Sequence, residues 1–265
     1  MTISKRRPAA RAAPATALTA ILAAMLTAIL AAMLTAILAL AAVPARAIVG
    51  GTEAPAGGAV MVLSSRGGVC TGVVLAPDTV LTAGHCLADA REHRVHFRDA
   101  AGAPVLVDVA AQALHPGYDA GAAAARRRSV DLALLRTATP LPARFAPVTL
   151  SAAPARAGET LTLAGYGAAR PGDPRSTGTY RSLGLPVIEP YGPSRILVWL
   201  KGAGGGACQG DSGGPIAGPD GAVLAVSAWI GGACGGLTQG VLVGPQRGWI
   251  DRVLDGWNRT ARWAQ

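Results

Sequence analysis

The chain has 265 residues, of which 51% are hydrophobic, together with 35 glycines and 19 prolines. This composition excludes a disordered protein and favours one large or two small turn-rich domains. The formal net charge of +9 at first suggests nucleic-acid binding. Residues 1–47, however, hold five basic groups and no acid, whereas residues 48–265 hold 19 basic and 15 acidic groups. The body of the chain therefore has an ordinary surface charge, and no nucleic-acid partner is expected.

Residues 1–47 have the features of a secretion signal. Residues 1–14 are basic, residues 15–43 carry no charge, and Ala45-Arg46-Ala47 matches the small-residue pattern of a signal-peptidase site. The octamer Leu-Thr-Ala-Ile-Leu-Ala-Ala-Met occurs at residues 18–25 and again at residues 26–33. This duplication makes the apolar run long enough to span a bilayer. We expect a signal peptide cleaved after Ala47, with an uncleaved membrane anchor as the alternative.

Beyond the leader, the pattern predicts a β-rich body closed by one helix. Short apolar or alternating segments are separated by glycine, proline and aspartate clusters. The predicted strands lie at residues 59–63, 72–75, 105–110, 132–135, 161–164, 196–200, 223–230 and 241–243. One-face apolar spacing over residues 249–257 predicts a C-terminal amphipathic helix. Two barrels or two sandwiches fit this pattern, with the crossing between halves near residues 139–157.

The four cysteines are Cys70, Cys86, Cys208 and Cys234. Four cysteines can form two disulfides in three different ways, and their spacing alone does not choose among these pairings. No CxxC spacing is present, which disfavours zinc and thioredoxin-like chemistry. Disulfides are expected if the leader directs the chain to an oxidising compartment.

Gly210-Asp211-Ser212-Gly213-Gly214 is the stretch most suggestive of catalysis. Glycines on both sides of a serine allow close backbone approach to a reacting carbonyl, but they are equally typical of a surface turn. Ser212 acts as a nucleophile only if the chain also supplies a base and an orienting acid.

Two residues are candidates for those roles. Of the four histidines, His93 and His96 lie in a charged stretch and are expected at the surface, and His115 lies in a turn. His85 follows a strand and precedes Cys86, which could tie down that turn. Asp131 begins a strongly apolar strand, where a partly buried carboxylate could orient a histidine.

Four motifs together resemble the chymotrypsin/trypsin family of serine endopeptidases, as a secreted member of bacterial type. They occur in the order that the family uses, and the resemblance covers residues 48–257: Ile48-Val49-Gly50-Gly51, Thr82-Ala83-Gly84-His85-Cys86, Asp131-Leu132-Ala133-Leu134-Leu135 and Gly210-Asp211-Ser212-Gly213-Gly214-Pro215. The resemblance implies an all-β fold of two Greek-key β-barrels packed face to face, with a C-terminal α-helix. The implied organisation is a signal peptide at 1–47, a peptidase domain at 48–257 and a tail at 258–265.

The resemblance also implies a role for each motif. Ser212 would attack the substrate carbonyl, His85 would take its proton, and Asp131 would orient His85. The amides of Gly210 and Ser212 would form the oxyanion hole, and Asp211 would pair with the freed α-amino group of Ile48. The family pairs Cys70 with Cys86, and Cys208 with Cys234. Because Ala47 replaces the family's usual basic residue, we expect signal peptidase itself to generate Ile48.

The specificity pocket implied by the resemblance contains Gly206, Ser227, Trp229 and Gly240. Trypsin-like members carry an aspartate where this chain has Gly206, so the pocket has no counter-charge for a basic substrate side chain. We therefore expect an apolar or small residue at P1, the substrate residue before the scissile bond. The segment Ser227–Cys234 is one residue longer than usual, so Ile230 or Gly231 could face inward.

The expected partners are protein or peptide substrates and protein inhibitors. A membrane is expected as a partner only if the leader is retained. No cofactor and no metal are expected, since residues 97–109 show no acidic calcium-loop pattern. The main alternative from another functional class is a non-catalytic binding protein on the same fold, for which the complete set of His85, Asp131 and Ser212 is unusual.

Overall fold

The computed structural model describes residues 25–29, 48–88, 90–122, 124–125 and 127–265. Most of the expected signal peptide therefore lies outside the described residues. Within it, residues 25–29 form a helical segment, α1, whose Met25, Leu26 and Ile29 side chains are exposed. Among the residues that the structure describes, no helix combines the length and the apolar character needed to cross a membrane.

Six antiparallel strands form the first barrel. They are β2 (Ala59–Ser64), β3 (Val69–Ala76), β4 (Thr79–Thr82), β5 (His93–Arg98), β6 (Pro104–Leu114) and β7 (Ala133–Thr137). They close in the order β2-β3-β4-β7-β6-β5. The one-turn helix α2 (His85–Ala88) follows β4.

Six further antiparallel strands form the second barrel. They are β9 (Thr160–Gly165), β10 (Arg181–Ile188), β11 (Leu197–Leu200), β12 (Pro215–Ala217), β13 (Val223–Gly231) and β14 (Leu237–Leu242). Their order is β12-β9-β10-β11-β14-β13, and β13 pairs back to β12 to close the ring. The two-residue strand β1 (Thr52–Glu53) pairs with β10 outside this ring.

Strands β3 and β4 are buried on both faces because they lie between two apolar layers. Val74 and Val80 point into the first barrel. Val73, Leu75 and Leu81 point the other way, into a cluster shared with the second barrel that includes Val226 and Val241. This double burial explains why the second half of β3, Val73–Ala76, is a continuous apolar run and not an alternating one.

The C-terminal helix α3 (Arg247–Gly256) closes this shared cluster. Trp249, Ile250 and Leu254 lie on its buried face. The two Greek-key barrels and the C-terminal helix are thus confirmed. The expected crossing at residues 139–157 connects β7 to β9 and contains the short strand β8 (Thr149–Leu150).

Residues 258–265, expected as a tail, are held against the body at two points. Strand β15 (Arg262–Trp263) runs parallel to β8 at the edge of the second sheet. Asp78 lies in the turn between β3 and β4. The Arg259 guanidinium donates a hydrogen bond to each of its two carboxylate oxygens, both at 2.7 Å.

Candidate active site

His85 and Asp131 form a two-point contact. The Asp131 Oδ2 atom lies 2.7 Å from His85 Nδ1, and its Oδ1 accepts a hydrogen bond from the His85 amide at 2.8 Å. The Asp131 side chain is largely buried, whereas the His85 side chain is 38% exposed. Both carboxylate oxygens are therefore used to fix one histidine.

The sequence around His85 explains how this contact arises. His85 is the first residue of α2, directly after β4, and Asp131 comes two residues before β7, which pairs with β4. Gly84 lies between them, and a Cβ at this position would come within about 3.0 Å of Asp131 Oδ1 and of the Tyr118 ring. A side chain at residue 84 would thus push the carboxylate away from the histidine.

Ser212 lies in a tight turn between β11 and β12. The turn is held internally by two hydrogen bonds, from the Asp211 amide to the Cys208 carbonyl (3.1 Å) and from the Gly214 amide to the Asp211 carbonyl (2.9 Å). Ser227 binds the turn from β13, since its carbonyl accepts from the Gly213 amide and its amide donates to the Gly214 carbonyl. Gly213 has φ +84° and approaches the first barrel so closely that only glycine fits there.

Among the described residues, the amides of Gly210 and Ser212 in this turn donate to no other protein group, as is also true of the exposed Gln209. The amide of Asp211, which lies between Gly210 and Ser212 in the chain, is paired. Gly210 itself has φ +98°, a conformation that favours glycine. The arrangement leaves two N–H groups on alternate residues free to bind one oxygen of a ligand.

A disulfide lies near both the histidine and the serine turn. Cys70 and Cys86 are bonded, and so are Cys208 and Cys234, which confirms the expected pairing. The Cys86 Sγ atom lies 3.8 Å from His85 Nε2 and 3.9 Å from the carbonyl oxygen of Ser212. The structure therefore brings His85, Asp131 and the Ser212 turn into one place, where the two barrels meet.

Asp211 is a fully buried carboxylate next to the serine. Burial raises the pKa of this carboxyl to about 7, and hydrogen bonds from the amides of Cys208 and Gly167 limit the rise. Its oxygens accept from those two amides at 2.9 and 2.8 Å. Within the described part of the chain, no cationic side chain forms an ion pair with it.

Ile48 packs against the segment that leads into the serine turn. Its side chain is fully buried in the second-barrel core, in the same cluster as Ala207, and the Val49 carbonyl accepts from the Gly206 amide at 3.0 Å. Residues 48–49 therefore run along the segment that leads into Cys208, whose amide binds Asp211. Ile48 has φ +42°, an outlier for a β-branched residue.

The residues expected to form a pocket are distributed around one strand pair. Trp229 is 42% exposed on β13, next to the serine turn. A Cβ at Gly206 would lie 2.9 Å from the Gly236 carbonyl, so this position has no room for a longer side chain without movement. Gly240 faces Ser227 across the β13–β14 pair, but the space beyond it is filled by Ile216, Val198 and Ala225 of the second-barrel core.

The segment between Ser227 and Cys234, which was expected to be one residue longer than usual, contains a β-bulge. Ser227 pairs with Gly240 and Trp229 pairs with Gln239, so Ala228 is left over and turns into the interface between the barrels. Beyond the bulge, Ile230 stands directly opposite Thr238. Thr238 is fully buried, and its hydroxyl accepts from the Ala207 amide at 3.1 Å. Thr238 could not be recognised from the sequence, because a threonine in a strand carries no signal of its own.

The other histidines do not join this site. His93 is buried in β5 and not exposed as expected, because the period-two pattern of β5 turns His93, Val95 and Phe97 toward the barrel interior. His115 packs edge-on against Trp249, and burial lowers its pKa. Cys70, His85 and Cys86 lie close enough to share a metal ion, but both sulphurs are consumed by the disulfide.

Comparisons with known proteins find relatives of this chain. The family model described as Trypsin matches residues 48–249. Alkaline trypsin C of Manduca sexta is 30% identical, with the match covering 72% of this chain and 84% of that protein. Trypsin zeta of Drosophila melanogaster is 27% identical, covering 71% of this chain and 74% of that protein.

A solved structure shows the same fold. Neuropsin, described as a serine protease expressed in the limbic system of mouse brain, superimposes with a TM-score of 0.66. The match covers 77% of this chain and 99% of the neuropsin chain, at 22% sequence identity. These relatives come from insects and a mammal, so they do not support the bacterial type that the sequence analysis expected.

Proposed function

The chain belongs to the trypsin family of serine endopeptidases, and we propose that it acts through Ser212, His85 and Asp131. The observation that carries this proposal is the two-point contact of Asp131 with His85, next to a serine turn that has two free amides. In the proposed reaction, the Ser212 hydroxyl attacks a peptide carbonyl and His85 Nε2 takes its proton. The same proton then passes to the leaving amine, and water repeats the sequence to release the acyl group.

Asp131 sets the state of the histidine. Because the Asp131 carboxylate accepts a hydrogen bond from Nδ1, it stabilises the tautomer of His85 that carries its proton on Nδ1. Nε2 is then the atom that accepts the serine proton. The negative charge of Asp131 then stabilises the imidazolium that forms during attack. Its partly buried position strengthens this effect, because water screens the pair less than it would at an exposed site.

The amides of Gly210 and Ser212 are the proposed oxyanion hole. Each remains unpaired among the described residues, and the peptide carbonyls around them are already bound elsewhere. An oxygen that becomes negatively charged during attack gains two donors there. In related enzymes one such donor contributes about 3–4 kcal/mol to the transition state.

The proposed activating step is removal of residues 1–47 by signal peptidase. The cut would give Ile48 a free α-amino group next to the buried Asp211, which has no side-chain cation of its own in the described residues. An unpaired carboxylate in this position costs several kcal/mol, and an adjacent ammonium offsets that cost. The cut would also remove the strained φ of Ile48, since a first residue has no preceding carbonyl to define that angle.

Secretion follows from the same proposal. The processed chain would consist of the peptidase domain, 48–257, and the C-terminal segment, 258–265, and it would act outside the cell on protein or peptide substrates. Protein inhibitors that mimic a substrate would bind the same cleft. Retention of the enzyme in the membrane fraction, with residues 1–47 still attached, would contradict this step.

We propose that the P1 pocket is shallow and apolar. Gly206 supplies no charge and is closed off by the Gly236 carbonyl. The cross-strand pair of Thr238 and Ile230 narrows the adjacent wall, because directly opposed residues project from the same face of a sheet. Small aliphatic side chains such as alanine and valine fit this description, whereas arginine would be desolvated without a partner.

Peptide-library cleavage tests the activity and the pocket together. The enzyme would be recovered from the medium of cells expressing the full chain, with the Ser212→Ala variant as control. We expect cleavage after small aliphatic residues that is absent from the Ser212→Ala sample. Cleavage after arginine but not after alanine or valine would contradict the proposed pocket, and equal cleavage by the two proteins would contradict the proposed nucleophile.

A further inference from the structure

We propose that Thr71, on β3 of the first barrel, is a positioning residue for the serine turn of the second barrel. This inference rests on the proposed function, since it concerns the amides of Gly210 and Ser212. Thr71 follows Cys70, the disulfide partner of the cysteine next to His85. One strand therefore carries both the tie to the histidine and the tie to the serine turn.

The Thr71 side chain is fully buried and its hydroxyl has two partners. It donates to the Gly210 carbonyl at 2.8 Å and accepts from the Tyr166 amide at 3.0 Å. The Thr71 amide donates to the Ser212 carbonyl, also at 2.8 Å. The residue itself is held by Thr82, whose hydroxyl donates to the Thr71 carbonyl at 2.8 Å.

These contacts fix two peptides of the turn. The four successive carbonyls of residues 209–212 all accept hydrogen bonds, in order from Ala168 N, Thr71 Oγ1, Gly214 N and Thr71 N. The N–H and C=O of a trans peptide point in opposite directions. The carbonyls of Gln209 and Asp211 share their peptides with the Gly210 and Ser212 amides, whereas Thr71 binds the two alternate peptides. Thr71 thus holds the peptide on either side of the one that carries the Ser212 amide.

The Thr71 hydroxyl binds the peptide between Gly210 and Asp211. This peptide joins Gly210 to Asp211 and lies between the two free amides. Its N–H donates to the Cys208 carbonyl, and its carbonyl binds Thr71. Gly210 has φ +98° and little intrinsic resistance to rotation, because glycine lacks a Cβ. Without the hydroxyl, the buried Gly210 carbonyl loses its donor, and rotation of this peptide changes the angle between the two amides.

The second partner of the hydroxyl extends the link toward the buried acid. Tyr166, whose amide binds Thr71, is followed by Gly167, whose amide binds Asp211. Thr71 thus contacts two segments that meet at Asp211, the one that contains Gly167 and the serine turn itself. We therefore expect Thr71 to affect the conformation of the serine turn in addition to the packing of the two barrels.

The test compares Thr71→Val with Thr71→Ser in enzyme secreted from the full chain. Valine keeps the shape and removes the hydroxyl, whereas serine keeps the hydroxyl. We expect Thr71→Val to lower kcat on a small-residue ester substrate about tenfold, with KM changed by less than about twofold, since the oxyanion contact forms in the transition state. Affinity for a peptidyl boronic acid, which mimics that state, should fall by the same factor. Thr71→Ser should restore both values to within about threefold.

Thr137→Val is the matched control. Thr137 is buried in β7 of the same barrel, and its hydroxyl binds the Thr139 carbonyl, away from the serine turn. We expect this variant to lose thermal stability while keeping kcat. If Thr71→Val likewise loses only stability, or if Thr71→Ser is as impaired as Thr71→Val, the inference is wrong.

Two further measurements complete the test. Should Thr71→Val fail to fold, Thr71→Ala is compared with Thr71→Ser, and the inference requires a kcat loss only in the former. Stoichiometric labelling of the parent enzyme by a serine-directed organophosphate distinguishes failure of the proposed function from failure of the proposed role of Thr71. If the parent is not labelled at Ser212, the proposed function fails, whereas a labelled parent with an unaffected Thr71→Val variant overturns only the role of Thr71.

Discussion

The buried Asp211 predicts opposite pH responses for the unprocessed and processed chains. In a chain that retains residues 45–47 ahead of Ile48, the folded carboxyl has a pKa of about 7, against an ordinary value of 3.8. As the pH rises from about 4 to 7, the unfolded chain loses this proton while the folded chain keeps it. The free energy of unfolding therefore falls across this window and does not recover above it.

The size of the effect follows from the shift. One pKa unit corresponds to about 1.4 kcal/mol, so the difference between 3.8 and about 7 lowers the stability of the unprocessed chain by on the order of 4 kcal/mol at neutral pH. The left-handed conformation of Ile48 adds about 1–2 kcal/mol of strain in that chain only. In the processed chain, the α-amino group of Ile48 is charged below its ordinary pKa of about 8, and under the proposed function it would pair with the carboxylate.

Denaturant unfolding at pH 5 and pH 7 measures this difference. Both chains carry Ser212→Ala to prevent self-cleavage, and the stability of each is taken from its urea midpoint and slope. We expect the unprocessed chain to lose stability between the two pH values and the processed chain to keep it. Asp211→Asn in both backgrounds is the control and should remove the contrast. Identical pH dependence of the two parent chains would refute the proposed pairing of Ile48 with Asp211.

Three further outcomes are expected. Shortening the pocket wall by Thr238→Gly with Ile230→Gly should move the cleavage preference from alanine and valine toward larger apolar residues, measured on matched peptides; an unchanged preference would place the pocket elsewhere. Asp131→Asn should lower kcat by about 10⁴-fold, a magnitude taken from related enzymes, while the melting temperature changes little. Arg259→Ala should lower the melting temperature near pH 7 but much less in acid. Burial raises the pKa of Asp78, but the bidentate Arg259 guanidinium more than reverses this, so the net pKa is lowered and the pair's contribution disappears as Asp78 is protonated. Equal losses at both pH values would argue against a role for this pair.

Much of the fold could be predicted from the chain because its apolar strands are short, strong and bounded by turn residues. The first barrel was harder at β5, His93–Arg98, where charged and histidine residues hide a period-two pattern. In β10, Gly184 and Pro186 are residue types depleted in strands, and the strand exists because β9 pairs with it along its length. Both strands are fixed by tertiary pairing, which local propensity does not contain.

The candidate site divides in the same way. His85, Asp131 and Ser212 are visible because each stands in a short motif, and the structure places these motifs together. Thr238 and Thr71 have no such signal, since their importance depends on a cross-strand neighbour and on a turn 139 residues away. The bulge at Ala228 shows the same limit: the extra residue could be counted in the sequence, but only the strand register shows which residue is displaced.

The most direct test of the central claim is covalent labelling of the secreted enzyme with a serine-directed organophosphate, followed by peptide mapping. We expect one label per chain, on Ser212, which disappears when the protein is unfolded and falls sharply in His85→Ala. Serines outside the site, such as Ser65 and Ser194, should remain unlabelled. A folded, secreted chain that takes up no label, or that is labelled equally well after unfolding, would contradict the claim that Ser212 is a nucleophile activated by His85 and Asp131.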